Sequence, residues 1–411
     1  MLELSERIAS DEFAQSARHP DFPKAFTRSR KLPLPALIGA LLSMRNQSQQ
    51  AMLDGFFASV CGSVDPLREA SDRAFAKARD RLHAPALISL NDLVVRRADE
   101  AGLIQRWCGM RLVAGDASVL MPAVRPCLLK RSAPASDQRL FALYLPGAEL
   151  TLHASVHSAQ VAERSMLVEA LDHLGSDDVL VLDRGYPAAW LVALLNARGI
   201  RFVMRCDNDS GWAAAKAFLR SGAHEAWVTL NAPSARDARD WRCPREAPRV
   251  RLVRQLAPNG CVRVLATNLD AHACPTAAFG DLYHQRWRIE EAFKRLKHRL
   301  HLEAVSGLSQ QALLIDVAAK VLADNIASLM CLAASNSAEL PARSRKCNRS
   351  YAAMLMQRLL PRLVLLIGDV AQAITQAIAS LGSTSQRFVP RRSQPRPPRH
   401  VKPHPSCVYK G

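Results

Sequence analysis

Over the first hundred residues apolar positions recur every three or four residues, in 34–42, 52–60 and 74–82, the spacing of helices that bury one face. Ser71 followed by Asp72 predicts an N-cap for the third of these, because a serine side chain can satisfy a first-turn N–H. From about residue 108 the pattern changes. Short alternating or wholly apolar runs predict strands at 110–116, 139–144 and 150–156, a helix over 162–174, a buried strand over 179–183, a helix over 188–198 and a strand at 201–206. Three successive strands, a helix, and two strands joined through a helix predict a mixed α/β sheet. Residues 208–279 leave that rhythm. Their β-like runs at 226–230, 249–256 and 262–268, separated by Pro and Asn turns, predict a mostly β insertion. A helix over 281–301 restores the α/β pattern, and further helices are predicted over 310–334 and 351–380.

Composition adds what the pattern leaves out. With 49% hydrophobic and 22% charged residues in 411, the chain can bury a large core and is not wholly disordered. Its 55 Lys and Arg against 37 Asp and Glu leave a net charge of +18, which favours a polyanionic partner such as nucleic acid. Basic residues gather at 27–31, in Arg73, Lys77, Arg79 and Arg81, and in a Pro-rich tail from 387 that has no acid and cannot pack a core. A membrane partner is not expected. The apolar stretch 359–367 contains Pro361 and Arg362, falls short of the ~18 residues a span needs, and no signal-peptide pattern opens the chain, so the cytoplasm is the expected compartment. Ten cysteines without a C-x-x-C pair predict reduced, mostly buried thiols. His153 and His157 stand four apart on a β-like run without the Glu of a zinc-protease motif, so no metal pair is expected there. Neither a phosphate-binding loop nor a dinucleotide-binding turn is present, so nucleotide-driven chemistry has no visible site.

The helix predicted over 281–301 carries the most specific chemistry. At ~100° per residue Tyr283, Arg286, Glu290 and Lys297 share one ~60° stripe, and Leu282, Ile289, Phe293, Leu296 and Leu300 form the adjoining apolar stripe. Glu291 points ~100° away from Glu290, which selects Glu290. Asp116 and Asp183 each end an apolar run that reads as a buried strand, where an ionised carboxylate is costly unless it meets a cation. Two Asp on neighbouring strands and a Glu on a packed helix can hold two divalent ions about 4 Å apart for phosphodiester displacement. The 107 residues from Asp183 to Glu290 exceed the ~35 that a helix, a strand and the Glu helix need, and the insertion at 208–279 fits the excess.

Tyr283, Arg286, Glu290 and Lys297 match, without a gap, the Tyr-x2-Arg-x3-Glu-x6-Lys signature of the DDE transposases of bacterial insertion-sequence family four. The runs 179–186, 201–205 and 293–297, Ser306-Gly307 ahead of a long helix through Asn325, and the segments 26–34 and 74–79 resemble the same family. Ala117 departs from it, standing where the family commonly has Gly. The resemblance implies a ribonuclease H-like catalytic domain interrupted by a mostly β insertion, two Mg2+ ions for which Mn2+ can substitute, and cleavage of element ends followed by transfer into target DNA. It makes Asp116, Asp183 and Glu290 the metal ligands and gives Tyr283, Arg286 and Lys297 the phosphates around the scissile bond. Some family members stack a flipped base on a Trp of the insertion, for which Trp212, Trp227 and Trp241 are the candidates.

The expected organisation is an N-terminal helical DNA-binding domain at 1–107, a catalytic domain in two parts at 108–207 and 280–335 around the insertion at 208–279, a helical region at 336–386 and the basic tail at 387–411. The expected partners are double-stranded DNA, as terminal inverted repeats and target, and a second copy of the chain in a synaptic dimer near the nucleoid. Two other readings share part of the pattern: a nuclease of the same fold that hydrolyses without joining, and a DNA-binding protein that has lost catalysis.

Overall fold

A computed structural model describes residues 1–28, 30–45, 47–121, 138–206, 211–256, 260–280, 282–337 and 345–387. The first helices are α1 Leu2–Ala9, α2 Asp11–Ser16, α3 Leu34–Ser43, α4 Gln49–Cys61, α5 Asp72–Arg79 and α6 Ala84–Glu100. Strands follow as β1 Arg106–Trp107, β2 Met110–Leu120, β3 Gln138–Leu145 and β4 Leu150–Ser158. Next come α7 Glu163–Ala170, β5 Asp178–Leu182, α8 Ala189–Ala197, β6 Arg201–Arg205, α9 Ala213–Ser221, β7 Glu225–Thr229, α10 Ala235–Trp241, β8 Arg249–Leu256 and β9 Val262–Thr267. The chain ends in α11 Leu282–Arg286, α12 Arg288–Lys294, a π-helical segment Arg295–Arg299, α13 Gln310–Ser337, α14 Arg349–Val364 and α15 Val370–Ser383. Ser71 caps α5 as its sequence predicts, accepting the Ala74 N–H at 3.1 Å. From 388 on, the basic tail lies outside the described residues.

The chain divides into two compact units. A helical unit gathers Met1–Ala101, Val119–Arg139 and Phe293–Gly411, and a sheet unit gathers Gly102–Ser118 and Leu140–Ala292. In the helical unit α3 is apolar on all sides, with eight of its ten residues buried, so it needs cover all round. Helices from both ends of the sequence supply it. Leu37, Ile38 and Leu41 share one core with Leu87 and Leu90 of α6, Ile315 and Leu322 of α13, and Leu360 and Leu363 of α14. The approach is close at Gly39, where a Cβ would come within 3.2 Å of the Phe56 ring and 3.6 Å of the Pro361 backbone. The N-terminal and C-terminal helices, expected as separate segments, are therefore halves of one core.

By length and composition α13 could cross a bilayer, but 78% of its apolar window is buried in the protein. Its interior polar groups are also tied to protein partners. Lys320 donates to the carbonyls of His301 at 2.7 Å and Ala304 at 3.1 Å, Asp316 accepts the Ser306 hydroxyl at 2.7 Å, and Asn325 donates to Asn91 at 2.6 Å. Asp324 pairs with the largely buried Arg295 at 3.1 Å. Cys331 of α13 is disulfide-bonded to Cys347, against the expectation of reduced thiols throughout. Of the free cysteines among the described residues, Cys206, Cys243 and Cys274 are buried and Cys61, Cys108 and Cys261 are exposed.

The sheet unit is built on a mixed sheet in the order β4-β3-β2-β5-β6-β9-β8-β7, with β1 paired to β2. Both β2 with β5 and β5 with β6 are parallel, while β9, β8 and β7 add in antiparallel succession. The strands expected as a mostly β insertion thus lie where predicted in sequence, but they extend the central sheet and alternate with α9 and α10. The reason lies in β6. Phe202, Val203 and Met204 are fully buried, and a strand so apolar left at a sheet edge would present unpaired backbone groups, which β9 takes up instead. The single helix expected over 281–301 is also corrected. It turns at Trp287 between α11 and α12, then widens to i→i+5 bonding, with the Leu300 N–H on the Arg295 carbonyl at 3.0 Å.

Candidate active site

β5 stops at Leu182 and the chain turns through Asp183. There the Asp183 carboxylate accepts the Gly185 N–H at 2.7 Å. A Cβ at Gly185 would sit 3.0 Å from that same oxygen, so glycine is what lets the carboxylate fold onto its own turn. Arg164 of α7 clasps the turn from outside, donating to the Gly185 carbonyl at 2.9 Å and the Pro187 carbonyl at 3.3 Å.

Asp116 reaches the same level through strand register. β2 and β5 pair in parallel with Ala114 opposite Val181, and two residues further on Asp116 stands abreast of Asp183 on the same face. Its carboxylate accepts the Ala117 N–H at 2.9 Å and Arg286 Nη1 at 3.1 Å. Burial pushes the Asp116 carboxyl up to about 6; the Arg286 guanidinium pulls against that, and the Asp183 charge adds to it.

Arg286 is 4% exposed, and its Nη2 also donates to Glu290 Oε1 at 3.4 Å, one turn along. One guanidinium therefore links Asp116 to Glu290. Glu290 is half-exposed and Glu291 faces solvent, as the helical wheel predicts. Asp116, Asp183, Arg286 and Glu290 lie in the same unit. The three carboxylates do not converge into a ready ligand cluster: among the described residues no group of three or more His, Cys, Asp or Glu side chains could hold an ion. Arg286, bonded to Asp116 and Glu290, lowers the cost of holding these two acids on one side of the sheet unit.

Other expected residues fall differently. Lys297 belongs to the helical unit, where it donates to the Val119 carbonyl and lies 3.8 Å from Glu303. Tyr283 is on α11, with its side chain outside the described residues. Trp241 is partly buried and stacks on Trp190 at 4.3 Å and 6°, so one face of its ring is taken. Trp227 is 45% exposed with Arg249 over its ring, and Trp212 is partly buried at the start of α9. His153 stacks on His173, and His157 bonds the Ser155 hydroxyl at 2.8 Å.

Sequence reasoning missed Tyr186. It is fully buried, its hydroxyl has no hydrogen-bond partner among the described residues, and burial followed by the negative charges of Asp116, Glu163 and Asp183 raises it well above its ordinary value. Its position three residues after Asp183 in the same turn was the available signal. Asp116, Asp183, Glu290 and the Tyr186 hydroxyl would offer only oxygen ligands, the kind that a hard divalent cation such as Mg2+ or Mn2+ takes.

Residues 136–326 match the transposase DDE domain family. That stretch contains Asp183, Tyr283, Arg286, Glu290 and Lys297, and Asp116 lies upstream of it. The transposase InsG for insertion sequence element IS4 of Escherichia coli (strain K12) is 21% identical over 305 residues, covering 70% of this chain and 67% of that protein. The structure of the piggyBac transposase synaptic complex with hairpin DNA is 12% identical with a TM-score of 0.44, covering 95% of this chain and 86% of that one. These matches make the chain similar to the DDE transposases of insertion-sequence family four. It is a transposase, and its DDE domain implies dependence on a divalent metal ion.

Proposed function

We propose that the chain binds the terminal inverted repeats of an insertion sequence, cleaves DNA there and joins the ends to target DNA, acting as a dimer in the cytoplasm at the nucleoid. Asp116, Asp183 and Glu290 are the ligands for two Mg2+ ions, with Mn2+ able to replace them. Such ions, when bound, supply an activated water or hydroxyl and a counter-charge for the leaving oxygen. The protein's own part is to hold the carboxylates in place. Asp183 is fixed by its Gly185 turn, Asp116 by strand register, and Arg286 neutralises Asp116 and Glu290 in the free protein. Arg286, Lys297 and Tyr283 serve the phosphates around the scissile bond, and a guanidinium suits that task because it can give two parallel bonds to one phosphate.

The observation that carries this reading is the register that brings Asp116 level with Asp183, with Arg286 linking Asp116 to Glu290. The strand order β4-β3-β2-β5-β6 with β2, β5 and β6 parallel supports the ribonuclease H-like reading of the catalytic domain. Among the insertion's tryptophans, Trp227 is the one open enough to stack a base.

The test is cleavage and joining of labelled element ends in Mg2+, in Mn2+ and in EDTA. Asp116→Ala, Asp183→Ala and Glu290→Ala should each abolish cleavage while duplex binding stays near wild type. Wild-type cutting by any one of them in Mg2+ removes that residue from the ligand set. Cut ends that are never joined would make the enzyme a nuclease instead.

A further inference from the structure

Two free cysteines of the sheet unit meet. Cys108 Sγ lies 3.0 Å from Cys274 Sγ, across 166 residues of sequence. Cys108 is exposed, while Cys274 belongs to a core with Met110, Val253 and Leu282, so one thiol of the pair can meet a solute and the other is kept inside.

The backbone holds the pair from both sides. β1 and β2 form a hairpin in which Trp107 pairs with Met110, leaving Cys108 and Gly109 as its two turn residues. Both have positive φ, 48° and 75°. That turn favours Asn-Gly, and a cysteine in its first position is strained, so turn formation does not account for the cysteine. On the other side the Cys274 N–H donates to the Asp270 carbonyl at 3.1 Å, and its own carbonyl accepts Arg251 Nη1 at 2.7 Å. The two segments are also fastened beside the pair. Trp107 Nε1 donates to the Ala278 carbonyl at 3.0 Å, and its ring meets Phe279 edge-on at 5.3 Å. A sulfur–sulfur bond is ~2.05 Å long, so closing one asks the thiols to approach by about 1 Å.

We propose that Cys108 and Cys274 are a reversible oxidation site that closes to a disulfide in the presence of a hydroperoxide, and that the closed form slows DNA cleavage. The Cys108 thiolate first attacks the O–O bond of hydrogen peroxide, which breaks to leave a sulfenic acid on Cys108 and a hydroxide that takes up the proton Cys108 gave. The Cys274 sulfur then attacks the Cys108 sulfur, the S–O bond breaks, and the hydroxyl leaves as water with the Cys274 proton. Two thiols are oxidised and one peroxide is reduced to two waters. Burial raises the Cys274 thiol well above its ordinary range, and its bond to Cys108 adds to this, which leaves the first attack to Cys108. The effect on cleavage rests on the transposase reading above; the disulfide does not. Cys108 stands at the root of β2, which carries Asp116, and Cys274 on the approach to α11, which carries Arg286. The three acids stand apart in the free protein, so assembling a ligand set moves α11 and Glu290 against β2. A bond between the roots of β2 and α11 opposes that movement.

The experiment uses the full chain, reduced, desalted, exposed to hydrogen peroxide and digested with trypsin without reduction. Trypsin releases Cys108 in 107–111 and Cys274 in 264–286, each with a single cysteine. The expected product is these two peptides joined, separating again in dithiothreitol. Peptides recovered apart, or Cys108 carried on to a sulfinic acid beside a Cys274 thiol, overturn the site. Cys108→Asn restores the favoured Asn-Gly turn and so folds without the thiol; neither it nor Cys274→Ala should give the joined pair. In a second arm, cleavage of labelled ends in Mg2+ is timed before and after oxidation. The oxidised wild type should cut several-fold more slowly with duplex binding unchanged, recover in dithiothreitol, and find no counterpart in Cys108→Asn. Equal rates in the wild type, or equal slowing in Cys108→Asn, overturn the effect on cleavage. A reduced wild type that never cuts fails the catalytic reading and the second half of the proposal with it, while the joined peptides still decide the first.

Discussion

Along α13 the buried Asp316, Lys320, Asp324 and Asn325 each have a hydrogen-bonded partner inside the helical unit. Around Asp116 in the sheet unit a carboxyl is held near 6, a buried tyrosine hydroxyl is orphaned and one guanidinium serves two acids. The contrast separates two uses of buried polarity. Groups that hold a fold are satisfied by the fold, and groups kept for a ligand stay partly unsatisfied until it arrives.

The largest expected effect tests the satisfied side. Asp324→Ala leaves Arg295 buried without its acid and should cost about 3–5 kcal/mol in urea unfolding. Glu290→Gln, on the unsatisfied side, should change stability by less than about 1 kcal/mol while removing cleavage. Equal losses from the two would end the distinction.

Next in size is the pH dependence of Asp116. Its folded value of about 6 lies above the ordinary 3.8, so the folded state holds that proton more tightly than the unfolded chain does. The resulting stability is fully present below about pH 4 and is lost as pH rises through 6, a swing on the order of 3 kcal/mol. In EDTA the wild type should therefore gain stability relative to Asp116→Asn as pH falls from 7 to 4, and a constant difference in Tm would show that ionising Asp116 costs nothing. Tyr186→Phe should be neutral or stabilising by less than about 1 kcal/mol, because no bond is lost. Cleavage in Mg2+ should fall in that variant while duplex binding holds; a large loss of Tm instead would mean that the hydroxyl is bonded in the free protein. Smallest of all, Glu291→Ala should leave cleavage largely unchanged and stability within ~0.5 kcal/mol.

Period and capping made most elements legible: β5, α8, β6, β8 and β9 lie within a residue or so of the runs that predict them, and Ser71 caps α5. That Glu290 and Glu291 face different ways was legible too, since it needs only local helical turn. The fate of Arg286 was not, because its bond to Asp116 depends on how β2 registers against β5. A wheel at constant turn could not foresee the break at Trp287 or the π-helical segment that carries Lys297. The apolar run likewise predicts α3 but not that α13 and α14 cover it, and spacing alone gave no sign that Cys331 meets Cys347.

The shared core of α3, α6, α13 and α14 has a consequence for how the protein is made. On the ribosome α6 is complete at Glu100, and α13 begins only at Gln310. At about 5–20 residues per second, the apolar faces of the first helices wait on the order of ten to forty seconds for their other half. Throughout that interval the nascent chain is a client for chaperones. A message cut short before α13 yields helices that cannot close their core, so an interrupted copy of the gene releases a chain destined for aggregation or proteolysis rather than a freely competing DNA-binding fragment.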